Sequence, residues 1–342
     1  MGLKNRLLFF LAKLTKKHTN APKDHFLLVS TTGLGDSIWA TPAIRALRAH
    51  YPKGYIAILT SQTGKEIFET NPHLDEIFLI EHLWKVLFQL RKRTIHTVII
   101  FHTSQRIILP FCRYIKAHRV IGSPGMYKGL DHLLDHILPD TQSHEIIRRL
   151  HLVHAVGAIP PEKPQLEIHI TKKDSAPISH YPLENALCIH PGAQNKFKCW
   201  PLESFALVAK KMQANLRCSI LLVGSPMEKN QLLTLKNLIG SGDCITDCSI
   251  RSYAALLKKV RLFLTNDTGP MHLAAAVHTQ TIALFGPTNP LRCGPLHAPH
   301  VHVLATQPTC TPCLRKKCNE PFCLMQISPD TVYTLASTLW TQ

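Results

Sequence analysis

The amino-acid sequence predicts an α/β protein with two Rossmann-like domains, each doubly wound around a parallel sheet. Short apolar segments alternate with amphipathic helical patterns, as in repeated strand–helix–strand units. The alternation stops in a stretch with five prolines, residues 159–185, which carries one predicted short strand around 166–170, and then starts again. The length of 342 residues accommodates two cores of roughly 150 residues each. Because ligands bind at the carboxyl ends of parallel strands, we expect a site in a cleft between two facing domains.

The predicted elements divide the chain into four parts. Strands are predicted at 26–30, 55–59, 76–80 and 97–102, and then at 186–190, 219–223, 262–265 and 281–285. A helix with Ser143 as its N-cap closes the first half, and a helix over 329–340, which could pack back on the N-terminal domain, ends the chain. The parts are an extension (1–24), an N-terminal domain (25–158), a linker (159–185) and a C-terminal domain (186–342).

The charge balance predicts an anionic partner. Lys and Arg number 39 against 22 Asp and Glu, with 21 His in addition. The basic residues are spread along the chain without a nucleic-acid-binding signature, so we expect no nucleic-acid partner. Phosphorylated small molecules and an acidic membrane surface remain. With no membrane-spanning segment and no signal-peptide cleavage site, the chain is expected in the cytoplasm.

The N-terminal extension, 1–24, combines apolar and basic residues. Leu7 to Leu11 are apolar, and Lys4, Arg6, Lys13, Lys16 and Lys17 surround them. A basic amphipathic helix of this kind lies on a membrane surface. A helix packed on its own domain, or a frayed end, accounts for the pattern equally well.

The first candidate site follows the first predicted strand. Residues 30–37 read Ser-Thr-Thr-Gly-Leu-Gly-Asp-Ser and lead into a helix. Glycines there permit close approach of the backbone to a ligand. Asp36 lies at the helix N-terminus, where the macrodipole stabilises a carboxylate, so it is either a general base or an N-cap. Ile38 stands where a dinucleotide-binding motif has its third glycine, which disfavours an NAD enzyme.

Two further candidate segments follow strands of the second half. His190-Pro191-Gly192-Ala193 precedes Lys196 and Lys198, and lysines beside a glycine turn suit a diphosphate, although Lys196 reads equally as a solvated loop residue. Residues 265–272 join a buried strand to an apolar helix. The N–H groups of Thr268 and Gly269 at its start can bind phosphate oxygens, and Asp267 can accept hydrogen bonds from sugar hydroxyls. His272 is a further candidate ligand or a core histidine.

These segments resemble the glycosyltransferase family 9 heptosyltransferases of lipopolysaccharide core synthesis. The resemblance covers roughly residues 25–342 and rests on four blocks in order. The blocks are Gly33-Leu34-Gly35-Asp36 with 41–47, Pro191-Gly192-Ala193 with Lys198 and Trp200-Pro201, Gly224 to Glu228, and Asp267 to Ala276 with 285–288. The chain departs from the family pattern in its basic extension and at Cys199.

The resemblance implies a GT-B fold and an inverting, metal-independent transfer of heptose from ADP-heptose to the lipid A-Kdo region of lipopolysaccharide. By it, Asp36 is the general base, in an acceptor-side loop with Thr32, Gly33 and Gly35. Lys198 is catalytic through the ADP leaving group, Glu228 binds the ribose, and Asp267 binds heptose hydroxyls. The other donor-binding residues that it implies are Gly192, Ala193, Thr268, Gly269 and His272.

The partners implied are a nucleotide-sugar donor, an anionic glycolipid acceptor and the cytoplasmic face of the inner membrane, where the enzyme is peripheral. Two alternatives remain: a family 9 transferase with another nucleotide sugar, or a non-catalytic nucleotide-sugar or glycolipid-binding protein. A degenerate relative would be expected to lose Asp36 or Lys198, and this chain has both.

Four cysteines near the C-terminus form a possible structural metal site. Cys310, Cys313, Cys318 and Cys323 follow one another at spacings that allow a tetrahedral zinc site. Free thiols are the alternative, since a cytoplasmic protein keeps cysteines reduced. No cofactor is expected for catalysis.

Overall fold

The computed structural model describes residues 20–127, 129–139, 143–308, 310, 313, 318 and 322–342. Two compact units meet between Pro164 and Gln165. Each unit contains one six-stranded sheet in which every strand pairing is parallel. Within these residues, the helices are all too short or too polar to cross a bilayer. Most of the extension, residues 1–19, lies outside the described residues.

The first unit alternates strands and helices, and its strand order is β3-β2-β1-β4-β5-β6. The strands are β1 (His25–Ser30), β2 (Tyr55–Thr60), β3 (Glu76–Leu79), β4 (Thr97–His102), β5 (Arg119–Gly122) and β6 (His136–Ile137). The helices are α1 (Leu34–His50), α2 (Gln62–Phe68), α3 (Leu83–Arg93), α4 (Ile108–Tyr114) and α5 (Glu145–His154).

The second unit repeats the strand order of the first, as β12-β11-β10-β7-β8-β9. Its strands are β7 (Ala186–His190), β8 (Ser219–Val223), β9 (Asp243–Ile245), β10 (Leu262–Asn266), β11 (Thr281–Phe285) and β12 (Val301–Ala305). Its helices are α6 (Lys172–Ser175), α7 (Leu202–Leu216), α8 (Lys229–Ile239), α9 (Ile250–Leu257), α10 (Gly269–Ala276), α11 (Pro290–Cys293), α12 (Phe322–Met325) and α13 (Pro329–Thr341).

Both sheets reverse their strand order in the middle. The central strands are buried along almost their whole length, because helices cover both faces of a doubly wound parallel sheet. The order reverses between β1 and β4 in the first unit and between β7 and β10 in the second. At such a point the connections leave in opposite directions and open a crevice at the carboxyl ends of the strands. We therefore expect ligand-binding residues at this point of each unit.

Helix α1, which begins within the first candidate motif, contains a proline. Pro42 lies inside the helix and has no N–H for the carbonyl of Ile38. The hydroxyl of Thr41 donates to that carbonyl at 2.8 Å, so the buried oxygen keeps a partner. Helix α1 then packs against α5, which brings the end of the first unit to the start of α1.

The α/β class with two doubly wound sheets is confirmed, and eight of the nine predicted strands agree with the structure to within one residue at each end. The short strand predicted around 166–170 was wrong, because those residues form no strand in the structure. Four strands were missed, β5, β6, β9 and β12, because they are short or lack a sustained apolar run. The predicted cap at Ser143 was wrong, since the ring of His144 accepts the N–H of Ile146 instead.

The range expected as a linker has two parts in the structure. The units divide at Pro164, and residues from Gln165 onward belong to the second unit. There α6 packs against α9, and an ion pair between Arg251 and Asp174 at 2.6 Å fastens it. The last helix, α13, packs on α7 and joins the core of its own unit.

Candidate active site

The first cluster of candidate residues lies at the strand-order reversal of the first unit. The backbone N–H of Thr31, just after β1, donates to the carbonyl of His102 at the end of β4. The chain then turns through Thr32 and Gly33, and Gly33 is the N-cap of α1 without a side-chain cap. Asp36 therefore lies in the first turn of α1 and is not its N-cap.

The carboxylate of Asp36 is held from two sides. Its Oδ1 accepts a hydrogen bond from Nη2 of Arg149 at 2.9 Å. Its Oδ2 accepts one from the hydroxyl of Thr32 at 2.8 Å, and Nδ1 of His102 lies 3.8 Å from the same oxygen. The side chain keeps 22% of its surface exposed, so the carboxylate is fixed in orientation and still open to a ligand.

Arg149 connects two carboxylates from a fully buried position on α5. Its Nη1 donates to the carbonyl oxygen of Glu145 at 2.9 Å and to Oε2 of Glu145 at 2.8 Å. Burial would raise the pKa of Glu145, but the charges of Arg149 and Arg148 outweigh it and lower that pKa to about 2. Glu145 is therefore ionised at neutral pH and compensates the buried guanidinium.

His102 completes the polar surroundings of Asp36. Its Nδ1 lies 2.9 Å from the hydroxyl oxygen of Thr32. Because that hydroxyl donates to Asp36, Nδ1 of His102 is the donor to Thr32. Burial lowers the pKa of His102, with Arg149 and Arg148 adding to the effect and Asp36 opposing it. The imidazole is thus neutral at neutral pH.

The second cluster lies at the strand-order reversal of the second unit, between β7 and β10. The amide of Asn266, the last residue of β10, accepts the N–H of Trp200 at 3.0 Å and donates to the carbonyl of Pro191 at 2.8 Å. These bonds tie the loop after β7 to the end of β10. The tie brings Nζ of Lys198 to 2.6 Å from Oδ2 of Asp267.

Asp267 gathers several of the predicted donor residues. Its Oδ2 also accepts a hydrogen bond from the hydroxyl of Thr288 at 2.5 Å. The next residue, Thr268, is the half-buried N-cap of α10, and Gly269 opens that helix. His272 is buried on the same helix. The ammonium of Lys198 thus lies beside a segment that offers a carboxylate and two helix-terminal N–H groups, a combination that suits a phosphorylated sugar.

Glu228 lies against the glycine turn after β7. Its Oε2 accepts bonds from the backbone N–H and the hydroxyl of Ser225, both at 2.7 Å. A Cβ on Gly192 would lie 1.7 Å from Oε1 of Glu228, so any other residue there would displace the carboxylate. Burial lowers the pKa of His190, whose Nε2 lies 3.9 Å from the same oxygen, although Glu228 opposes the shift. Ala193 follows in the same turn, half-buried.

Three residues that hold these clusters were not predicted: Arg149, His102 and Asn266. Two of them carried a signal, since His102 and Asn266 are polar residues that end apolar strands, where ligand-facing groups occur. Arg149 shares the apolar stripe of α5 with Ile146 and Val153, which is an unusual place for an arginine. Its partner Asp36 is 113 residues away, so spacing alone does not reveal the pair.

The four C-terminal cysteines lie beside residues 309, 311, 312, 314–317 and 319–321, which are outside the described residues. Cys323 is buried in α12. Burial raises the pKa of its thiol, and the neighbouring Cys313 and Cys318 raise it further. Within the part of the chain that the structure describes, no three cysteine sulfurs lie within 4.8 Å of one another. The four cysteines therefore form no group of three closely spaced thiols among the described residues.

A comparison with protein families gives a match to the model of glycosyltransferase family 9 (heptosyltransferase) over residues 111–323. The chain belongs to glycosyltransferase family 9. Lipooligosaccharide heptosyltransferase 2 of Campylobacter jejuni is 24% identical over 327 residues, which cover 90% of this chain and 96% of that one. Lipopolysaccharide heptosyltransferase 3 of Escherichia coli is 25% identical over 284 residues, 75% of this chain and 81% of that one.

The solved structure of E. coli ADP-heptose lps heptosyltransferase II is similar in fold, with a TM-score of 0.77 and 19% identity over 93% of this chain and 99% of that one. The predicted GT-B class is confirmed by this likeness and by the two parallel sheets. As a family 9 member the protein is a glycosyltransferase, which confirms the predicted enzyme class.

The buried guanidinium of this glycosyltransferase gives the first prediction. Replacing Arg149→Lys keeps a positive charge, but a compact ammonium cannot bridge Asp36 and Glu145 at once. We expect the free energy of unfolding to fall by about 1–3 kcal/mol and sugar transfer to fall with it. Urea unfolding and initial rates measure both.

Arg251→Lys is the matched control, because Arg251 is also buried and paired with an aspartate, in the second unit. It should lose stability and keep its rate per folded molecule. Unchanged stability and rate in the Arg149 variant would contradict the bridging role.

Proposed function

We propose that this glycosyltransferase moves heptose from ADP-heptose to the inner core of lipopolysaccharide, on the lipid A-Kdo acceptor, with inversion and without a catalytic metal. The sugar and the acceptor class are supported by the names of the similar heptosyltransferases. The observation that carries the proposal is the Lys198–Asp267 pair at the start of α10, because it offers one group for phosphate and one for sugar. Another nucleotide sugar is the alternative that the experiments below separate.

On the acceptor side, we assign the role of general base to Asp36. Arg149 and Thr32 orient its carboxylate from two sides, which leaves lone pairs for an acceptor hydroxyl. As the hydroxyl oxygen bonds to the anomeric carbon, its proton passes to Asp36. The bond from that carbon to the diphosphate breaks, and its electron pair leaves with ADP. Thr32 and Gly33, together with Gly35 in the first turn of α1, receive the acceptor.

On the donor side, Lys198 and the N–H groups of Thr268 and Gly269 stabilise the charge that develops on the leaving diphosphate. Both contacts of Asp267 described above fall on Oδ2, so Oδ1 is the atom we assign to sugar hydroxyls. Glu228 binds the ribose beside Gly192 and Ala193, and His272 supports the same segment. A non-catalytic binding protein is disfavoured because the chain belongs to a family of glycosyltransferases and has both Asp36 and Lys198.

The proposed location is the cytoplasmic face of the inner membrane, to which the protein binds peripherally. The net charge of +17 supports this location, since anionic lipid attracts basic proteins. We expect the glycolipid acceptor to be reached from that surface.

The base is tested by Asp36→Asn, assayed by mass spectrometry of acceptor after incubation with ADP-heptose, ADP-glucose and UDP-sugars. Wild-type protein should add one heptose from ADP-heptose only. The variant should bind donor normally and turn over about 10² to 10⁴ times more slowly, the usual contribution of a positioned base.

The control is Asp330→Asn, in which an exposed carboxylate is removed. Full turnover by the Asp36 variant at saturating acceptor would show that another group takes the proton. Transfer from a different nucleotide sugar would overturn only the identity of the transferred sugar.

The phosphate contact is tested by Lys198→Ala. We expect ADP binding to weaken by about 1.5–3 kcal/mol, since a charge-assisted contact is lost, while adenosine binding changes little. Lys196→Ala is the matched control, because Lys196 is an exposed lysine of the same turn. Calorimetric titration that finds equal losses for ADP and adenosine would place Lys198 away from the diphosphate.

We also propose that Cys310, Cys313, Cys318 and Cys323 together hold one structural metal ion. Four thiols at these spacings suit a tetrahedral zinc site. Elemental analysis should find about one zinc per chain. Cys318→Ser should lose the metal, whereas Cys293→Ser, outside the quartet, should keep it. Metal-free wild-type protein with full activity would leave these residues as free thiols.

A further inference from the structure

Helix α3 of the first unit has two faces of different character. Val86, Leu87 and Leu90 on one face are buried in the core of the unit. On the other face Trp84 is 44% exposed and Phe88 is 66% exposed. These two aromatic residues are one turn apart, so their side chains are neighbours on the helix surface. An exposed aromatic pair beside a completed core calls for an explanation other than folding.

Basic residues surround the aromatic pair. Lys92 continues the row of Trp84 and Phe88 by one more turn, and Lys85 lies next to Trp84; both lysines are exposed. On the other side of the row, the guanidinium of Arg91 lies over the ring of Tyr114, 5.1 Å from its centre. Aromatic side chains flanked by cations are the composition of a helix that lies in the headgroup region of an anionic bilayer.

The N-terminal part of the chain is attached beside this helix. Nδ1 of His25 lies 3.0 Å from the carbonyl oxygen of Arg93, the last residue of α3. Asn20, where the described chain begins, is five residues before His25, and such a stretch spans at most about 17 Å. The sequence before Asn20, residues 1–19, contains five basic side chains.

We infer that the surface of α3 formed by Trp84, Lys85, Phe88 and Lys92 docks on an anionic lipid bilayer. Trp84 and Phe88 enter the headgroup region, and the lysines pair with lipid phosphates. The inference deepens the peripheral location proposed above by naming the surface that makes the contact. It does not require the transferred sugar to be heptose.

The lysines and the aromatic side chains contribute to membrane binding in ways that differ in their dependence on salt. Lysine–phosphate attraction is screened over about 8 Å at physiological ionic strength. Burial of the aromatic side chains is not weakened by simple salt in this way. Binding through α3 should thus retain an apolar component at high salt that a purely electrostatic contact would lose.

The experiment measures sedimentation of the full-length protein with vesicles of phosphatidylcholine alone or mixed with phosphatidylglycerol. Wild-type protein should bind the mixed vesicles. Trp84→Ser with Phe88→Ser should weaken that binding about ten- to hundredfold, and Lys85→Glu with Lys92→Glu should weaken it mainly at low salt. Leu207→Ser is the matched control, because Leu207 is a half-exposed leucine of α7 in the second unit.

A fluorescence measurement identifies the contact directly. Trp84 is the most exposed of the tryptophans, so the difference in emission between wild type and Trp84→Phe reports on it. Lipids brominated near the headgroup should quench that difference signal. If residues 1–19 cover the surface instead, the signal is shielded from acrylamide without vesicles and bromolipids leave it unchanged, which overturns the inference. Equal sedimentation of wild type and the double serine variant also overturns it.

Transfer to a soluble acceptor fragment separates this inference from the proposed function. The α3 variants should transfer sugar to that fragment at the wild-type rate. If the wild-type protein bound vesicles but transferred no sugar to the fragment, the proposed reaction would be rejected and the docking surface would be unaffected.

Discussion

The two main clusters of candidate residues depend on one topological constraint, the reversal of strand order in the middle of each parallel sheet. Parallel strands place all their carboxyl ends at one edge, and at the reversal the connecting loops diverge and leave that edge open. In the first unit, Asp36 comes shortly after β1 and His102 is the last residue of β4. In the second unit, Lys198 comes after β7 and Asp267 comes directly after β10. Because the two units share one strand order, one physical rule accounts for the position of both clusters.

The two clusters differ in how their charges are stabilised. In the first unit the charge that must be compensated is the guanidinium of Arg149, which is buried and would be costly without Glu145 and Asp36. The requirement works in both directions, since the same guanidinium fixes the carboxylate of Asp36. In the second unit Lys198 keeps 21% of its surface and Asp267 keeps 7%. That pair is open enough for a diphosphate to approach the ammonium while Asp267 holds it in place.

Features formed by one continuous segment could be predicted from the sequence, whereas features that depend on contacts between distant segments could not. Strands β1, β4, β7 and β11 are continuous apolar runs, so their pattern indicated them directly. Strand β6 has only two residues and depends on pairing with β5, which no local pattern encodes. Likewise, the sequence of residues 30–37 predicted a ligand-binding loop. The residue that orients Asp36 is Arg149 of α5, which lies at the other end of the unit in sequence. The structure also gives a physical reason for the glycine at position 192, because a side chain there would occupy the space of the Glu228 carboxylate.

The distribution of the ion pairs decides where the excess positive charge acts. Many of the carboxylates are engaged inside the units: Asp36 and Glu145 with Arg149, Asp75 with Arg48, Asp135 with Arg113, Asp174 with Arg251 and Asp267 with Lys198. These pairs neutralise buried or half-buried cations locally and add nothing to the surface. Because 39 basic residues stand against 22 acidic ones, a surplus of +17 remains beyond these pairs, and exposed lysines such as Lys85 and Lys92 contribute to it. A field of that kind acts at long range and is weakened by salt, whereas buried pairs are screened much less. The proposed attraction to an anionic surface and the geometry of the candidate sites thus rest on separate sets of charges, and a change in one set can leave the other intact.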